Sequence, residues 1–504
     1  MRRAKWLSGI ASGTMLTMSV AFVAPACADT LREALSQAYN SNPTLAGARA
    51  RQRQIDENVP IAKADGRLGV SADGAFTENV KRSSADFTSP RRSVSAGINA
   101  SLPIYQGGAV RNAVEAAKIR VEAGRADLRA SESSVFTDVV AAYMDVIRDQ
   151  AIVDLNSGQV GVLETNVQAS QDRFQVGDLT KTDVAQSQAR LAIARSQLDS
   201  AQAQLVSSRE NYLRVIGKMP DNLEPPPLLP GFPESPDAAL SVALDNNPQL
   251  IAVKKESDAA RKDVGSARAL RLPRLSAIAG GNYVNYLNSL DNSFEGGAGV
   301  PNRSTSASVG LQATLPLYQG GGPGARVRQA QARVGESMEQ EIATERAVIA
   351  QVRSAYASYV ASRGVIDSSQ TAVSANELAL EGVRAEQGVG TRDVLDVLNA
   401  EQELLNARVQ LVSARRDAYV AGFALLAAMG RAEAANLGLD GGPLYDPVTN
   451  YNRIKNSVFD WGDDGAPTVH GSRNVGIQPL PSPALQPLAA PAGPEPAPVT
   501  MPQN

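Results

Sequence analysis

The sequence predicts an α+β membrane protein with internal duplication, in which four short β-strands per chain lead into very long α-helices. Three observations predict it. An octapeptide returns 213 residues after its first appearance, a period-two alternation stands ahead of each copy, and more than 110 proline-free residues follow each copy.

The first 28 residues read as an export signal. Arg2, Arg3 and Lys5 precede an apolar stretch from Trp6 to Val23, and Ala26-Cys27-Ala28 supplies a small-x-small pattern before Asp29. The mature chain is expected to start at Asp29, which moves the net charge from −3 to −6. A lipid-bearing Cys27 is the alternative, with Ala24-Pro25-Ala26 a poor lipobox ahead of it. No other stretch reaches the roughly 18 apolar residues of a spanning helix.

Composition excludes much chemistry. The 504 residues include one His, His470, and one Cys, Cys27. Ser–His, Cys–His and His-ligated metal sites therefore lack their parts. A disulfide within the chain is impossible. Lys+Arg 49 against Asp+Glu 52 gives no basic footprint for nucleic acid. No catalytic, cofactor-binding or metal-ligating residue is expected. Pairs such as Glu401 and Glu403 read most simply as solvated helix faces.

The repeat organises the rest. Ser101-Leu102-Pro103-Ile104-Tyr105-Gln106-Gly107-Gly108 returns as Thr314-Leu315-Pro316-Leu317-Tyr318-Gln319-Gly320-Gly321. Val176-Gly177 and Asp183-Val184 return at the same offset as Val389-Gly390 and Asp396-Val397. Asn42-Pro43 returns as Asn247-Pro248. The expected organisation is a signal peptide at 1–28 and a first repeat at 29–219, made of a helix, two strands and a long helical hairpin. A Pro-rich linker at 220–236, a second repeat of the same layout at 237–440 and a largely disordered Gly/Pro-rich tail at 441–504 follow.

Each proline-free run permits a long helix. Val184, Leu191, Leu198, Leu205 and Tyr212 recur every seven residues, as do Leu398, Leu405, Val412, Tyr419 and Leu426. Val397, Leu404, Leu411 and Leu425 form a second row beside the latter. Sustained heptads mean coiled-coil packing, and two adjacent rows mean a neighbour on each side. The runs are punctuated at Val176-Gly177-Asp178 and at Gly388-Val389-Gly390, read as tight turns between antiparallel helices. The first helices should run from about Gly108 to Gln175 and from about Gly324 to Glu386, each roughly 95 Å long.

Ahead of each octapeptide the period is two. Val94, Ala96, Ile98, Ala100 and Leu102 alternate with small polar residues, as do Thr305, Ala307, Val309, Leu311, Ala313 and Leu315. Arg67–Val80 and Arg274–Tyr286 are weaker partners. Such segments suit either membrane-crossing strands or a half-buried hairpin of a soluble protein. Four strands cannot close a barrel alone, and open edges are not tolerated in lipid. Three copies would supply twelve.

These features together resemble the TolC-like outer-membrane efflux proteins, or outer-membrane factors. The duplication, both LPxYQGG signatures, Val389-Gly390-Thr391-Arg392 and Val394–Ala400 carry the resemblance, which spans roughly residues 30–440. It implies a homotrimer with a twelve-stranded transmembrane β-barrel, four strands per chain, continuous with a long periplasmic α-helical coiled-coil barrel. The implied function is the outer-membrane exit duct of a tripartite efflux pump or type I secretion system, passing drugs, small toxic molecules or polypeptides. Implied partners are a periplasmic adaptor, an inner-membrane pump of the RND, ABC or MFS type and outer-membrane lipid.

Site residues follow from the same resemblance. Val176, Gly177, Asp178, Val389, Gly390 and Thr391 would be the tips that meet the adaptor. Asp396 and Asn399 would ring the constriction, the family's second Asp being Asn399 here. Arg392 would hold the entrance closed through Thr182, with a second link from Asp183. The family's Tyr partner for Asp183 is replaced by Gln387, which weakens that second link. Tyr105 and Tyr318 would lie near the membrane interface. The alternative is a periplasmic coiled-coil adaptor or structural protein, which would not need the alternating segments twice.

Overall fold

The computed structural model describes residues 29–81, 90–229, 231–290, 301–439 and 444–478. The expected signal, Cys27 included, lies outside the described residues, as do 440–443 and 479–504 of the tail.

Each half opens on helices set by side-chain caps. In the first half these are α1 (Leu31–Ser41), α2 (Pro43–Asp56) and α3 (Asn58–Ala64); in the second, α6 (Pro236–Asn246) and α7 (Pro248–Ala269). The sequence reading gave one helix here, and the difference has a local cause. Asn42 accepts from the amides of Thr44 and Leu45, and Asn247 does the same for Gln249 and Leu250. Each Asn is followed by a proline at the first helical position, where a missing N–H costs nothing. Each also reaches across the fold. The Asn42 amide donates to the Val215 carbonyl at 2.8 Å and the Asn247 amide to the Ala428 carbonyl at 2.9 Å. One residue type therefore starts a helix and ties it to the hairpin of its own half.

The strands are β1 (Gly69–Glu78), β2 (Arg92–Tyr105), β3 (Arg274–Asn285) and β4 (Arg303–Thr314), antiparallel in the order β1-β2-β3-β4. Register pairs Asn99 with Ser71 and Gly280, and Gly280 with Ser308. The neighbouring row on the other face joins Ala72, Ile98, Gly281 and Ala307. One face is thus mainly Ser, Asn, Thr and Gly, with Asp73, Gln312, Ile278 and Val284 also on it, and the other carries Val70, Phe76, Val94, Ile98, Val309 and Leu311. Those apolar side chains are all exposed, Val309 at 88% and Leu311 at 71%. Neither β1 nor β4 has a partner on its outer edge among the described residues.

The two glycines of each LPxYQGG signature turn sheet into helix. Gly107 and Gly108 have φ of +63° and +84°, and Gly320 and Gly321 have +59° and +80°. These are left-handed conformations that strain other residues. Behind them run α4 (Ala109–Gln175), α5 (Lys181–Ile216), α8 (Gly322–Gly388) and α9 (Val394–Ala428). At 67 residues each, α4 and α8 are about 100 Å long. The shorter α5 and α9 cover only their far portions, and α7 packs between the near portions of α4 and α8.

The two heptad rows of α9 face different neighbours. Val397, Leu404 and Leu411 pack with Val373 and Leu380 of α8. Leu398, one residue on, packs with Leu163 of α4 and Ala194 of α5. The largest core lies at the waist, where Leu35, Tyr39, Leu45, Phe136, Tyr143, Tyr212, Ile216 and Phe423 are buried together. The Tyr143 hydroxyl lies 2.9 Å and 2.7 Å from the carbonyls of Asp29 and Glu224, and burial pushes its pKa well above the ordinary tyrosine value. No described helix is long and apolar enough to cross a membrane.

The tail departs from expectation. Residues 444–478 include α10 (Pro447–Ile454) and a strap fastened to the first half. Asp446 caps α10 ahead of Pro447, so a proline that suggests disorder by composition instead starts a helix. Tyr445 and Tyr451 lie against the guanidinium groups of Arg49 and Arg125.

Candidate functional site

The far ends of the two helical hairpins hold most of the residues singled out by sequence. Each tip is built alike. Gly177 and Gly390 sit just past α4 and α8 with φ of +85° and +81°. Their amides, and those of the next residues, bond back to the last helical carbonyls: Gly177 to Phe174, Asp178 to Arg173, Gly390 to Gln387 and Thr391 to Glu386, at 2.9–3.0 Å. That double return is the usual glycine-stopped helix end. Val176 and Val389 project, 80% and 77% exposed.

The tips differ in the charge across the turn. Arg173 donates to Asp178 at 2.8 Å in the first. Arg392 donates to Glu386 at 2.8 Å in the second. The basic partner therefore precedes the turn in one tip and follows it in the other.

The next helices start on acidic or hydroxyl caps. Thr180 and Asp183 form a reciprocal capping box at the head of α5, and the Thr180 hydroxyl, then its amide, hold the Asp183 carboxyl below the ordinary carboxylate value. Asp393 caps α9, its carboxylate accepting from the Val394 amide at 2.6 Å.

The expected Arg392–Thr182 link is not made within the chain. Arg392 is held by Glu386 and stands 3.7 Å from Asp396, and Glu386 foremost raises its pKa. Asp183 is turned to its own cap, and the Gln387 carbonyl serves the turn. The physical reason is proximity: the nearest carboxylates to Arg392 belong to its own hairpin, within six residues in sequence.

Ties between the two hairpins lie just behind the tips instead. Leu398, 2% exposed, fills the hollow between Leu163 and Ala194. Arg190 of α5 donates to Asn399 of α9 at 2.7 Å. Glu401 joins three helices, accepting from Arg384 of α8 at 2.9 Å and from Asn166 of α4 at 3.2 Å. Glu401 is 4% exposed, which corrects its reading as a solvated helix face. A buried carboxylate persists only when paired and hydrogen-bonded, and both conditions are met. A weak signal was present in the sequence: Glu401 stands seven residues after Val394 and between Leu398 and Leu405, but the same row continues with Arg408 and Arg415. Nothing local announced Arg190 or Asn166.

Tyr105 ends β2 and Tyr318 lies between β4 and α8, 49% and 89% exposed. His470 is on the exposed strap. Among the described residues no group of acidic, His or Cys side chains could hold a metal ion.

The chain was compared with known proteins. The family model described as outer membrane efflux protein matches it twice, over residues 34–218 and 239–431. The outer membrane efflux protein BepC of Brucella suis biovar 1 is 33% identical over 448 residues, covering 89% of this chain and 94% of BepC. Outer membrane protein TolC of Escherichia coli K12 is 26% identical, covering 84% of this chain and 86% of TolC. Among solved structures, CusC, studied for folding and transmembrane channel formation, superposes with a TM-score of 0.69 at 19% identity, over 80% of this chain and 92% of CusC.

Proposed function

This chain belongs to the outer membrane efflux protein family, and on that premise we propose that it is the outer-membrane exit duct of a three-part export machine. The observation that carries the reading is the four-stranded sheet whose outer edges have no partner among the described residues and whose apolar face is exposed, mounted on helices that pack on both sides. In lipid every backbone polar group must be satisfied. Three chains do this together, β4 of one pairing with β1 of the next. Four strands per chain is an even number, so the antiparallel alternation closes. A twelve-stranded barrel is about 24 Å across at the backbone, with the mainly small and polar face, Asp73 included, lining a wet lumen.

The helices continue the bore on the periplasmic side. The two halves act as copies of one unit, each giving a strand pair and a hairpin. A periplasmic adaptor seats on the tips, Val176-Gly177-Asp178 and Val389-Gly390-Thr391, and an inner-membrane pump of the RND, ABC or MFS type drives cargo through. The cargo is small toxic molecules or secreted polypeptides, and the duct makes or breaks no covalent bond.

Asp396 and Asn399 ring the narrow end. Three Asp396 carboxylates give a field that attracts cations. Asn399 contributes no charge and holds Arg190 beside it, so cation preference is weaker than with two acidic rings. The narrow end is held shut mainly by Leu398, Glu401 and the Arg190–Asn399 bond. Arg392, Thr182, Asp183 and Gln387 act between neighbouring hairpins of the trimer, with Arg392 first having to leave Glu386.

Reconstitution tests the reading. The purified protein should run as a trimer on an unheated gel and form pores in planar bilayers. A water-soluble monomer without pores would end it.

A further inference from the structure

The strap makes an out-and-back excursion along the first half. Outbound, Tyr445 bonds to Tyr39 at 2.9 Å, Asn450 to buried Asp56 at 2.9 Å and Lys63 to the Lys455 carbonyl at 2.7 Å. The Arg67 guanidinium then bonds to the Ser457 carbonyl. The partners climb from residue 39 to 67, ending two residues before β1. On the return, Asp464 meets Arg453 at 2.7 Å, Gly471 packs on Pro43 and Asn474 bonds to the Leu213 carbonyl at 3.2 Å. The turn between the two legs is Val458–Gly462, directly after the Ser457 that Arg67 binds.

That turn is uncovered and carries three apolar side chains around Asp460, with Asp463 and Asp464 just beyond it. Val458, Phe459 and Trp461 are 74%, 71% and 87% exposed. Beside it stands a basic cluster. Lys63, Arg67, Lys118 and Lys455 are close enough that, after burial, their mutual repulsion lowers the Lys63 pKa. Exposed rings with this basic cluster close by in the chain, and with Asp464 paired to Arg453, suit the headgroup region of a bilayer at the foot of a membrane-facing sheet.

We infer that the strap apex, Val458 to Trp461, is an interfacial anchor that seats in the periplasmic phospholipid leaflet, with Lys63, Arg67 and Lys455 against anionic headgroups. The inference rests on the reading of the sheet as membrane-spanning. It adds a second contact with lipid, made by a segment that is neither strand nor part of either hairpin. The rings would carry the apolar contact, and the basic side chains would set a preference for negatively charged lipid.

The chain has two tryptophans, Trp6 and Trp461. Full-length protein carrying Trp6→Phe would be reconstituted into phosphatidylethanolamine/phosphatidylglycerol vesicles brominated at graded depths of the acyl chain. Trp461 emission should be quenched, most strongly by bromine nearest the headgroup. Quenching should fall when Lys63 and Lys455 are both changed to Gln, or when phosphatidylglycerol is replaced by phosphatidylcholine. Phe459→Ser should also reduce it while pore formation persists. Pores with no quenching of Trp461 overturn the anchor alone, whether the emission is that of a ring in water or of one packed on a neighbouring subunit. Absence of pores overturns the duct and the anchor together.

Discussion

Glu401→Ala offers the sharpest probe of the proposed closure of the narrow end. The side chain is 4% exposed and bonds to Arg384 and Asn166. Hydrogen bonds involving a charged group contribute about 1.5–3 kcal/mol. Arg384 belongs to the same hairpin as Glu401 and is half exposed, 52% by side chain, so the bond lost between the hairpins is the one from Asn166. Removing Glu401 also ends the cost of burying its charge. A net loss of about 1.5 kcal/mol per subunit is reasonable between those effects. If three subunits open together, the sum is about 4.5 kcal/mol, a shift of roughly a thousandfold or more toward the open state. Single-channel recording in planar bilayers reads that shift as long dwells at high conductance. Glu401→Gln keeps an acceptor for Asn166 and Arg384 and should fall between Ala and wild type. The reasoning is refuted if Glu401→Ala channels, intact as trimers on an unheated gel, rest closed as the parent does.

Three other outcomes are expected. Asp396→Ala should lower cation preference and weaken cation block of single channels, and an unchanged block removes Asp396 from the constriction. Asn247→Ala should lower the melting temperature, since it deletes a helix cap worth about 1 kcal/mol and also orphans the Ala428 carbonyl; thermal unfolding followed by circular dichroism checks it, and an equal loss is expected for Asn42→Ala. Glu132, whose carboxyl is raised mainly by burial despite its bond from the Ala434 amide, should make the waist more stable in acid. A raised folded-state pKa favours the protonated form, so this gain is present below the ordinary carboxylate value and lost as pH climbs through the raised one. Glu132→Gln should flatten that part of the stability–pH curve, and an unaltered curve would show that Glu132 does not set it.

Periodic features were legible because they are local. The LPxYQGG signatures needed only chain order to be read as sheet-to-helix junctions, and Gly107, Gly108, Gly320 and Gly321 do turn there with positive φ. The adjacent rows of α9 announced two neighbours, and Val397 and Leu398 face different ones. Pairings that depend on the third dimension were not legible. Arg190 and Asn399 are 209 residues apart, and only the stagger of α5 against α9 brings them together. The tail illustrates a different limit. Its composition suggests disorder, but Asp446 capping and the contacts of Tyr445 and Asn450 depend on a surface formed about 400 residues earlier.

The reversed polarity of the two turns has a consequence for stoichiometry. In the proposed trimer the periplasmic mouth offers six knuckles, alternating between an Arg173–Asp178 kind and a Glu386–Arg392 kind. A sixfold collar of identical docking segments would meet chemically unequal seats at every other position. Such a collar has to pair its own members into asymmetric twins, or grip only the backbone and valine that both kinds share.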